Sequence, residues 1–401
     1  MEEKPYRVTL GVTAGIAIYK ACDLVRRLRE KNCEVKVVMT EHATKMVAPL
    51  TFQALSGNAV TTGLFDAGGD ASISHIELAE WEDLLIVAPA TADILGKFAS
   101  GIADDFLTTH YLANRGKPVL IVPTMNGFMY RHPAVQHNLH LLAERGHYLM
   151  KAGRGDLACG DSDEGRMVEP TQIADEAMGI LENAGSLEGV KVLVTAGGTR
   201  EAIDAVRFIS NRSSGKMGYA LAGEAVRRGA EVTLISGVTA LSPPAGAKFV
   251  QVVSATEMEA AVKKHFPSTD ILVMAAAVSD YRPAKALTSK KKKSASDWKL
   301  DLRPTKDILL EVKKLKKKKH FVCGFAAETE NLENNAAKKL EEKKLDLIAA
   351  NDVSRKGIGF DSDENAMVLI KPDGKKIRIS RRSKPDCAKE LWNRIEEIRR
   401  G

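Results

Sequence analysis

Three segments of small and hydroxyl-bearing residues stand where strands of the first half are predicted to end. They are residues 11–17, Thr40 and residues 88–93. The first segment opens a predicted helix, and bare amides at a helix N-terminus attract an anion. It lacks the Gly-x-Gly-x-x-Gly spacing of dinucleotide sites, and Thr40 stands where those sites place a carboxylate, so the pattern favours a mononucleotide. Taken alone, a tight turn without a ligand or a capped loop would explain these segments equally well.

A second group of residues in the first half could bind or protonate a substrate. Residues 123–130 place Asn126 on a loop held by proline and glycine, where its amide could fix a carboxylate by paired hydrogen bonds. Residues 153–161 form a glycine-hinged, charged loop that carries Cys159, which is typical of a lid with a reactive thiol. His75 is the remaining candidate acid or base, although a lone histidine is more often structural.

The second half contains similar segments of small and hydroxyl-bearing residues, and these are accompanied by more positive charge. Residues 195–201 follow a predicted strand, and residues 210–218 lead into a predicted helix. Ser213, the Gly215 amide and Lys216 could hold a phosphate, although the Walker A spacing is absent. A serine-capped helix would explain any one of these residues but not the whole stretch.

Charged residues follow the next predicted strand of the second half. Asp280 could bind a base amino group or magnesium from a strand end. The lysine run at residues 290–293 could neutralise a triphosphate. Runs of this kind, including residues 316–319, are more usually solvated faces.

Short apolar runs alternate with helical patterns along both halves, which predicts βαβ units and parallel sheets. The predicted strands are residues 8–11, 35–39, 84–88 and 119–122 in the first half, and 191–195, 232–235, 271–275, 321–325 and 347–350 in the second. A hairpin at residues 368–379 and a helix at residues 384–400 close the chain. The pattern stops in small polar residues, which places a domain boundary near residues 184–190. The sequence therefore predicts an α/β protein of two doubly wound, Rossmann-like, three-layer domains.

Length and composition limit the class of protein. A chain of 401 residues exceeds what one hydrophobic core usually serves, which again indicates two domains. No apolar run approaches the roughly 20 residues of a membrane span, and the start shows no signal-peptide core, so we expect a cytoplasmic protein. The five cysteines have no spacing suited to zinc or disulfides and are predicted to be free thiols. The net charge of +7 suits anionic small ligands or nucleic acid.

The candidate residues of the first half, in this order, closely resemble the phosphopantothenoylcysteine decarboxylase domain of the flavin-dependent cysteine decarboxylases. Residues 123–129 match that family's Pro-x-Met-Asn-x-x-Met motif, His75 matches its active-site histidine, and the loop around Cys159 matches its substrate-recognition clamp. Tyr130 departs from the tryptophan that usually follows the motif, and we expect it to keep an aromatic wall. The resemblance implies a flavodoxin-like decarboxylase domain over residues 1–186.

This resemblance implies an FMN-dependent oxidative decarboxylation. The flavin would oxidise the cysteinyl thiol of the substrate to a thioaldehyde, whose sulfur serves as the electron sink for loss of CO₂. The flavin would then reduce the resulting enethiol again. Asn126 would hold the substrate carboxylate, His75 would assist the early proton movement, and Cys159 would supply the last proton. The implied flavin-side positions are Ala14, Gly15, Thr40, Ala88, Thr91 and Asn126.

The second half resembles the phosphopantothenate-cysteine ligase of the same pathway, and the likeness spans nearly the whole chain. Residues 210–218 match its phosphate-binding segment and residues 290–293 match its Lys-x-Lys-Lys loop. Residues 324–329 and 349–352 also recur in that family. The resemblance implies a CTP-dependent ligase domain over residues 187–401, joined to the first domain as in the bifunctional bacterial enzymes of coenzyme A biosynthesis.

The implied ligation has two stages and uses magnesium. CTP activates the carboxylate of 4′-phosphopantothenate as an acyl-cytidylate with release of pyrophosphate, and the amine of cysteine then attacks to form the amide. By resemblance Asn211 holds the acyl-cytidylate and Lys290 stabilises charge during acyl transfer, although a neighbouring lysine of the run could take that role. Decarboxylation of the product gives 4′-phosphopantetheine. The implied nucleotide-site residues are Ala275, Ala276, Asp280, Lys290, Lys306, Asp307, Ile308, Leu309, Phe325, Lys339, Lys343, Ser213 and Gly215, and metal ligands are not assigned.

The resemblance also implies partners. The family assembles as trimers through the flavin domain and as dimers through the ligase domain, which implies a homo-oligomer as large as a dodecamer. Its substrates are small molecules, and neither nucleic acid nor a membrane is an expected partner.

Two alternative functions remain. A flavoprotein that binds nucleic acid could use the lysine runs, but aromatic residues make up only 5% and no such module is recognised. A flavin decarboxylase of C-terminal peptide cysteines would have no need of the ligase half.

Overall fold

The computed structural model describes residues 4–64, 74–156, 162–293, 297–328, 330–354, 358–359 and 361–400. The chain divides into two compact units, Met1–Ala184 and Gly185–Gly401. Each unit is built around its own parallel sheet.

The first unit alternates strands and helices. Its strands are β1 Tyr6–Val12, β2 Cys33–Met39, β3 Val60–Thr61, β4 Leu84–Ala90, β5 Val119–Pro123, β6 Tyr148–Leu149, β7 Gly153–Asp156 and β8 Ser162–Arg166. Its helices are α1 Ile18–Glu30, α2 Glu41–Thr44, α3 Pro49–Ser56, α4 His75–Trp81, α5 Ala92–Ser100, α6 Phe106–Ala113, α7 Gly127–Arg131, α8 Pro133–Glu144 and α9 Pro170–Asn183.

Six strands of the first unit form one parallel sheet in the order β3-β2-β1-β4-β5-β6. The chain starts at the centre, winds to one edge, returns and winds to the other, which is the doubly wound arrangement. Strand β4 is buried along its whole length, as expected of a central parallel strand covered on both faces. The remaining strands, β7 and β8, form a separate antiparallel hairpin.

Alternate residues of β4 point to opposite faces of the sheet and enter different cores. Leu84 and Ile86 pack in a cluster with residues of α1 and α9. Leu85 and Val87 pack in a second cluster with residues of α5 and α6. This two-residue period gives three layers, with helices on both faces of the sheet.

The second unit repeats the alternation and adds strands at its end. Its strands are β9 Lys191–Ala196, β10 Arg200–Ala202, β11 Phe208–Ser210, β12 Glu231–Ser236, β13 Lys248–Gln251, β14 Ile271–Met274, β15 Tyr281–Pro283, β16 Leu302–Pro304, β17 Phe321–Glu328, β18 Leu347–Asp352, β19 Glu364–Ile370 and β20 Lys376–Ser383. Its α-helices are α10 Lys216–Arg227, α11 Ala255–His265, α12 Ile308–Leu315, α13 Leu332–Glu342 and α14 Lys384–Arg400, and a short 3₁₀ helix spans Phe266–Ser268.

The main sheet of the second unit has eight strands in the order β13-β12-β9-β14-β17-β18-β19-β20. The first six are parallel and again start at the centre, whereas β19 and β20 are antiparallel additions at one edge. Helix α14 then packs on α10, where the buried indole of Trp392 donates to the Leu221 carbonyl at 2.9 Å. Two core clusters lie on the two faces of the sheet.

The structure confirms the predicted architecture. Each predicted strand coincides with an observed strand, the closing hairpin is formed by β19 and β20, and the last helix spans Lys384–Arg400. No helix in the described part of the chain is both long and apolar enough to span a bilayer.

Candidate active sites

The three small-residue segments of the first unit meet at the carboxyl edge of its sheet. The Thr13 hydroxyl, just after β1, donates to the Pro89 carbonyl at 2.7 Å, and the Thr91 amide donates to the Thr13 hydroxyl at 3.4 Å. The Thr40 amide donates to the Val12 carbonyl at 3.1 Å. These bonds connect the ends of β1, β2 and β4, so the structure brings the predicted flavin-side segments together.

This edge has the features that a flavin mononucleotide requires. Ala17 precedes α1 without a side-chain cap, and the first turn of α1 contains no acidic residue, so the positive helix end is open to a phosphate. Gly15 lies beside the loop after β4, because a Cβ there would be 3.8 Å from the Thr91 methyl and 4.0 Å from the Pro89 ring. Ile16 and Phe128 expose 65% and 74% of their surface at the same edge, which suits contact with an apolar ring. Ala88 is fully buried in the core beneath this edge, so the structure exposes none of its surface to such a ligand.

Asn126 is fixed by its own helix. Its Oδ1 accepts the Phe128 amide at 2.8 Å and thereby caps α7. The preceding Met125 amide donates to the Gly165 carbonyl at 2.9 Å, which fastens the Asn126 loop to β8. The structure therefore orients the predicted carboxylate-binding amide from both sides.

Gly165 makes that attachment possible. It is the extra residue of a bulge in the β7–β8 hairpin, because Gly153 faces Arg166 while Arg154 faces Glu164. Its φ is +126°, and a Cβ there would lie 2.2 Å from the Met125 carbonyl oxygen. The base of the hairpin thus rests directly on the Asn126 loop. Cys159 lies between β7 and β8 in the sequence and falls outside the described residues.

His75 begins α4 and is half-buried. Ser74 caps the helix, with Glu77 completing a capping box, so the backbone of His75 has a fixed position. The His75 ring meets the ring of Phe106 edge-on, with centroids 6.4 Å apart.

Two buried side chains, His110 and Glu82, fix the backbone of His75, and the sequence analysis missed both. His110 Nδ1 lies 3.1 Å from the His75 carbonyl, and Nε2 lies 2.9 Å from Glu82 Oε2. Both side chains of the pair are fully buried. A carbonyl can only accept, so Nδ1 is the donor in the contact with His75. The pair thereby anchors the start of α4.

The described cysteines are structural. They are Cys22, Cys33, Cys323 and Cys387, and none is in a disulfide, as predicted. Burial raises the pKa of each thiol, to about 11 for Cys33 and Cys387. These thiols stay protonated at neutral pH and cannot easily exchange a proton with a substrate.

In the second unit a cavity of about 400 Å³ opens at the carboxyl edge of the sheet. It is lined by eight predicted residues, namely Asn211, Ser213, Gly215, Lys216, Ala275, Ala276, Asp280 and Phe325. Asn365 and Lys384 also line it, and sequence reasoning missed both. The phosphate-binding segment and the end of β14 thus share one cavity.

The side chain of Asn211 connects the segment after β11 to the segment after β14. Its Nδ2 donates to the Ala277 and Val278 carbonyls at 3.1 and 3.2 Å. The neighbouring Ser210 hydroxyl donates to the Thr199 carbonyl at 2.8 Å. The amide nitrogen of Asn211 is therefore committed to the backbone, which fixes the orientation of the whole side chain.

Helix α10 starts at the wall of this cavity. Gly215 precedes it with a φ of +80°, no side chain caps it, and its first turn has no acidic residue. Its first residue is Lys216, whose Nζ lies 2.6 Å from Asp363 Oδ1. A positive helix end beside a lysine is a strong attractor for a phosphate.

Lys291, the second residue of the lysine run, is held in place by a backbone hydrogen bond and by an aromatic ring. The Lys291 amide donates to Asp204 Oδ2 at 3.3 Å, and Lys291 Nζ lies 4.4 Å from the centre of the Trp298 ring. Asp204 also accepts the Val206 and Arg207 amides at 2.8 Å. These backbone donors, that of Val206 first, lower the pKa of the Asp204 carboxyl.

The other predicted nucleotide residues, apart from Lys290, form a neighbouring cluster made of residues 306–309, Lys339 and Lys343. Lys290 is exposed and, like Lys306, is not among the residues that line the 400 Å³ cavity. Asp307 caps α12 and pairs with Lys343 at 2.7 Å, whereas Lys339 pairs with Glu328 at 2.6 Å. The side chains of Ile308 and Leu309 are buried in the core, so only their backbone could contact a nucleotide.

Comparison with known proteins assigns both units. Residues 1–182 match the family described as Flavoprotein, and residues 187–398 match the DNA/pantothenate metabolism flavoprotein C-terminal domain. The coenzyme A biosynthesis bifunctional protein CoaBC of Bacillus subtilis (strain 168) is 47% identical over 394 residues, which cover 98% of this chain and 97% of that protein. The CoaBC protein of Escherichia coli (strain K12) is 46% identical over 374 residues, 92% of each chain. A solved C-terminal domain of a CoaBC protein is 41% identical and covers 54% of this chain and 98% of that one, with a TM-score of 0.46. The chain therefore belongs to the family of coenzyme A biosynthesis bifunctional proteins, CoaBC.

Proposed function

We propose that the chain first ligates cysteine to 4′-phosphopantothenate with CTP and then decarboxylates the product with FMN, giving 4′-phosphopantetheine. The observation that carries this proposal is the 47% identity with a bifunctional relative along 98% of the chain. The two separate sites, one at the sheet edge of each unit, support it. We assign decarboxylation to residues 1–186 and ligation to residues 187–401.

Small residues and hydroxyls at the first sheet edge would hold the flavin. Its phosphate would lie at the open N-terminus of α1, beside Ala14 and Gly15, and its ring would lie near Thr40 and Thr91, above the buried Ala88. When bound, FMN supplies the reversible two-electron oxidation of the substrate thiol that makes loss of CO₂ possible.

Three side chains of the first unit would act on the substrate. Asn126, oriented by its cap on α7, would hold the carboxylate that leaves as CO₂. His75, anchored by the buried pair, would accept a proton during the first step. Cys159 would return a proton at the end, a role that the buried thiols described above cannot take.

In the second unit the cavity would position the acyl-cytidylate. Asn211 would hold the intermediate, and Ala275, Ala276, Asp280 and Phe325 would line the cytidine pocket, with Ser213 and Gly215 on the phosphate side. Lys290 would stabilise charge during acyl transfer. Lys306, Lys339 and Lys343, together with residues 307–309, would surround the nucleotide from the neighbouring cluster.

Magnesium would enter this site together with the nucleotide. Among the residues that the structure describes, no three His, Cys, Asp or Glu side chains are grouped to hold a metal ion. Mg²⁺ is commonly bound by substrate phosphates and one or two carboxylates, so a nucleotide complex needs no such group. Asp280 is the carboxylate on the cavity wall that could complete it.

We also propose a homo-oligomer that is trimeric through the first unit and dimeric through the second. Each unit exposes large apolar side chains, which is typical of an interface. In the first unit they include Tyr19 and Leu50, and in the second Phe208, Tyr281 and Leu302. The native mass of the purified chain tests this assembly.

A one-pot assay tests the proposed activity. Phosphopantothenate, cysteine and CTP are incubated with the yellow protein, and pyrophosphate and 4′-phosphopantetheine are measured by mass. Cys159→Ser should accumulate a decarboxylated but unreduced product. Asn211→Asp should stop the reaction before the amide forms, because a carboxylate oxygen would face the Ala277 and Val278 carbonyls. Each variant should retain the other activity, so the two serve as controls for one another. A protein that binds no FMN, or releases no pyrophosphate, would contradict the proposal.

A further inference from the structure

A buried lysine of the first unit joins two segments of the decarboxylase site, and no step described so far uses it. Lys20 is the third residue of α1 and exposes only 5% of its surface. Its Nζ donates to the Met167 carbonyl at 3.0 Å and to Glu169 Oε1 at 2.8 Å. Both partners lie in the short segment between β8 and α9. A lysine is seldom buried without a structural or chemical reason.

Helix packing alone does not require this lysine. Helices α1 and α9 already share an apolar core, to which α1 contributes Leu24 and α9 contributes Ile173. A cation in the first turn of a helix is repelled by the positive end of the helix dipole, and burial costs it further free energy. Glu169 balances the charge, and the hydrogen bond from Lys20 is the main cause that lowers the pKa of its carboxyl. An apolar side chain at position 20 would pack without these costs, which indicates that the hydrogen bonds of Lys20 have another use.

The segment that Lys20 holds leads directly to the loop of Asn126. Met167 follows β8, and two residues earlier the Gly165 carbonyl accepts the Met125 amide at 2.9 Å. Lys20 itself stands in the first turn of α1, whose N-terminus lies at the ligand edge of the sheet. Two hydrogen bonds and the backbone of residues 165–167 therefore connect the flavin end of α1 to the Asn126 loop.

We propose that Lys20 is a positioning residue for decarboxylation, which sets the distance between the flavin site at α1 and the carboxylate-binding amide of Asn126. This inference rests on the decarboxylase activity proposed above. Lys20 acts through the protein and not on the ligand, because its side chain is only 6% exposed and its Nζ is directed to Met167 and Glu169. Loss of the lysine removes a donor from the Met167 carbonyl inside the core, and a buried carbonyl that loses its donor favours a shift of its backbone. That shift would reach Asn126 through Gly165.

Steady-state decarboxylation by the full-length protein tests this role. Lys20→Met and Lys20→Gln remove the charge, and Lys20→Arg keeps a cationic donor. The kcat/KM for phosphopantothenoylcysteine is expressed per bound FMN, so that unfolded molecules do not count, and the Kd of FMN is measured separately. We expect both neutral variants to lose about 10- to 100-fold in kcat/KM, because misplacement on the order of 1 Å lowers catalysis by up to roughly 100-fold. The Kd of FMN should stay close to the wild-type value, and Lys20→Arg should recover part of the lost activity.

Two control variants separate this role from general stabilisation. Lys31 joins the same two helices at the other end of α1, where its Nζ lies 2.9 Å from Asp175 Oδ1 and both side chains are more than a third exposed. Solvent screens that pair, so Lys31→Met should decarboxylate at the wild-type rate. Glu169→Gln keeps an oxygen acceptor for Lys20 and leaves the bond to the Met167 carbonyl in place, so it should retain most of the activity.

A double variant identifies the route of the effect. A Cβ at Gly165 would lie 2.2 Å from the Met125 carbonyl oxygen, so Gly165→Ala breaks the connection between β8 and the Asn126 loop. If Lys20 acts through this connection, Lys20→Met combined with Gly165→Ala should be no slower than Gly165→Ala alone. Losses that multiply in the double variant would show that Lys20 acts by another route and would overturn the inference.

The remaining outcomes separate this inference from the proposed function. If the neutral variants decarboxylate at the wild-type rate, or if their only defect is a raised Kd of FMN, the positioning role is refuted and the decarboxylase function stands. If neither neutral variant binds FMN, Lys20 serves the stability of the flavin unit and the inference is again wrong. If wild-type protein does not decarboxylate phosphopantothenoylcysteine at all, the proposed function itself fails.

Discussion

Gly165→Ala should abolish most decarboxylation while leaving ligation intact. Gly165 lies at a φ of +126°, and its carbonyl accepts the Met125 amide at the base of the β7–β8 hairpin. An added Cβ would approach the Met125 carbonyl oxygen to 2.2 Å, well inside contact distance. The Met125 backbone cannot yield like the end of a flexible side chain, so the hairpin and the Asn126 loop must separate.

The size of the effect follows from this geometry. A non-glycine residue in such a backbone conformation costs about 1–3 kcal/mol, and loss of the Met125–Gly165 hydrogen bond costs about 0.5–1.5 kcal/mol. Relief of the contact requires a movement on the order of 1 Å next to Asn126, and misplacement of that size lowers catalysis roughly 100-fold. We therefore expect kcat for decarboxylation to fall by about two orders of magnitude.

The assay follows CO₂ release from phosphopantothenoylcysteine, with pyrophosphate release as the internal control for the ligase unit. Gly146→Ala is the matched control, because its φ is +92° but nothing lies within 4 Å of the added Cβ. That variant has backbone strain without the clash and should decarboxylate at close to the wild-type rate. If Gly165→Ala does so too, the base of the hairpin does not position Asn126 and the reasoning is wrong.

Two further predictions concern side chains that act through others. Glu82→Leu removes the partner of the buried His110 ring nitrogen, which typically costs about 1–3 kcal/mol, and should lower the thermal midpoint of the flavin-containing unit by roughly 5 °C. Glu82→Gln can still donate to Nε2 and should retain most of the stability and the decarboxylation rate; equal midpoints for the two variants would speak against a role for the pair in holding His75. Asp204→Asn turns a side-chain NH₂ toward the backbone N–H of Lys291, so the hydrogen bond that Asp204 Oδ2 accepts is lost. We expect the kcat of ligation to fall about tenfold and decarboxylation to be unaffected. An unchanged kcat for ligation would show that the anchoring of the lysine run is irrelevant to acyl transfer.

The sequence predicted well whatever depends on periodicity and on strand ends. A buried parallel strand reads as a short apolar run, and its carboxyl end faces the ligand side of the sheet. Thr40, Thr91, Asn126 and Asp280 became candidates because they follow predicted strands, and the structure places each of them at such an end. The structure then shows how these ends are connected, for example by the Thr13 hydroxyl between the loops after β1 and β4.

The sequence could not predict contacts between residues that share no local pattern. Lys384 and Lys216 line the same cavity although 168 positions separate them, and Gly165 contacts Met125 across 40. One signal was available for the buried pair, because His110 lies four positions after Phe106 on the same face of α6, and a polar residue on a buried face needs a partner. Nothing local indicates that the partner is Glu82.

The missed residues in the two units have one topological cause. In each unit the residues that follow the parallel strands lie at one edge of the sheet. This position can be predicted from the sequence only as far along the chain as strands and helices alternate. In the first unit the alternation gives way to the β7–β8 hairpin, and in the second to β19, β20 and α14. Gly165 comes from the first of these additions and Lys384 from the second. In each unit an antiparallel addition brings distant residues back to the ligand edge, which is why Gly165 in the first unit, and Asn365 and Lys384 in the second, are not reached by reasoning from strand ends.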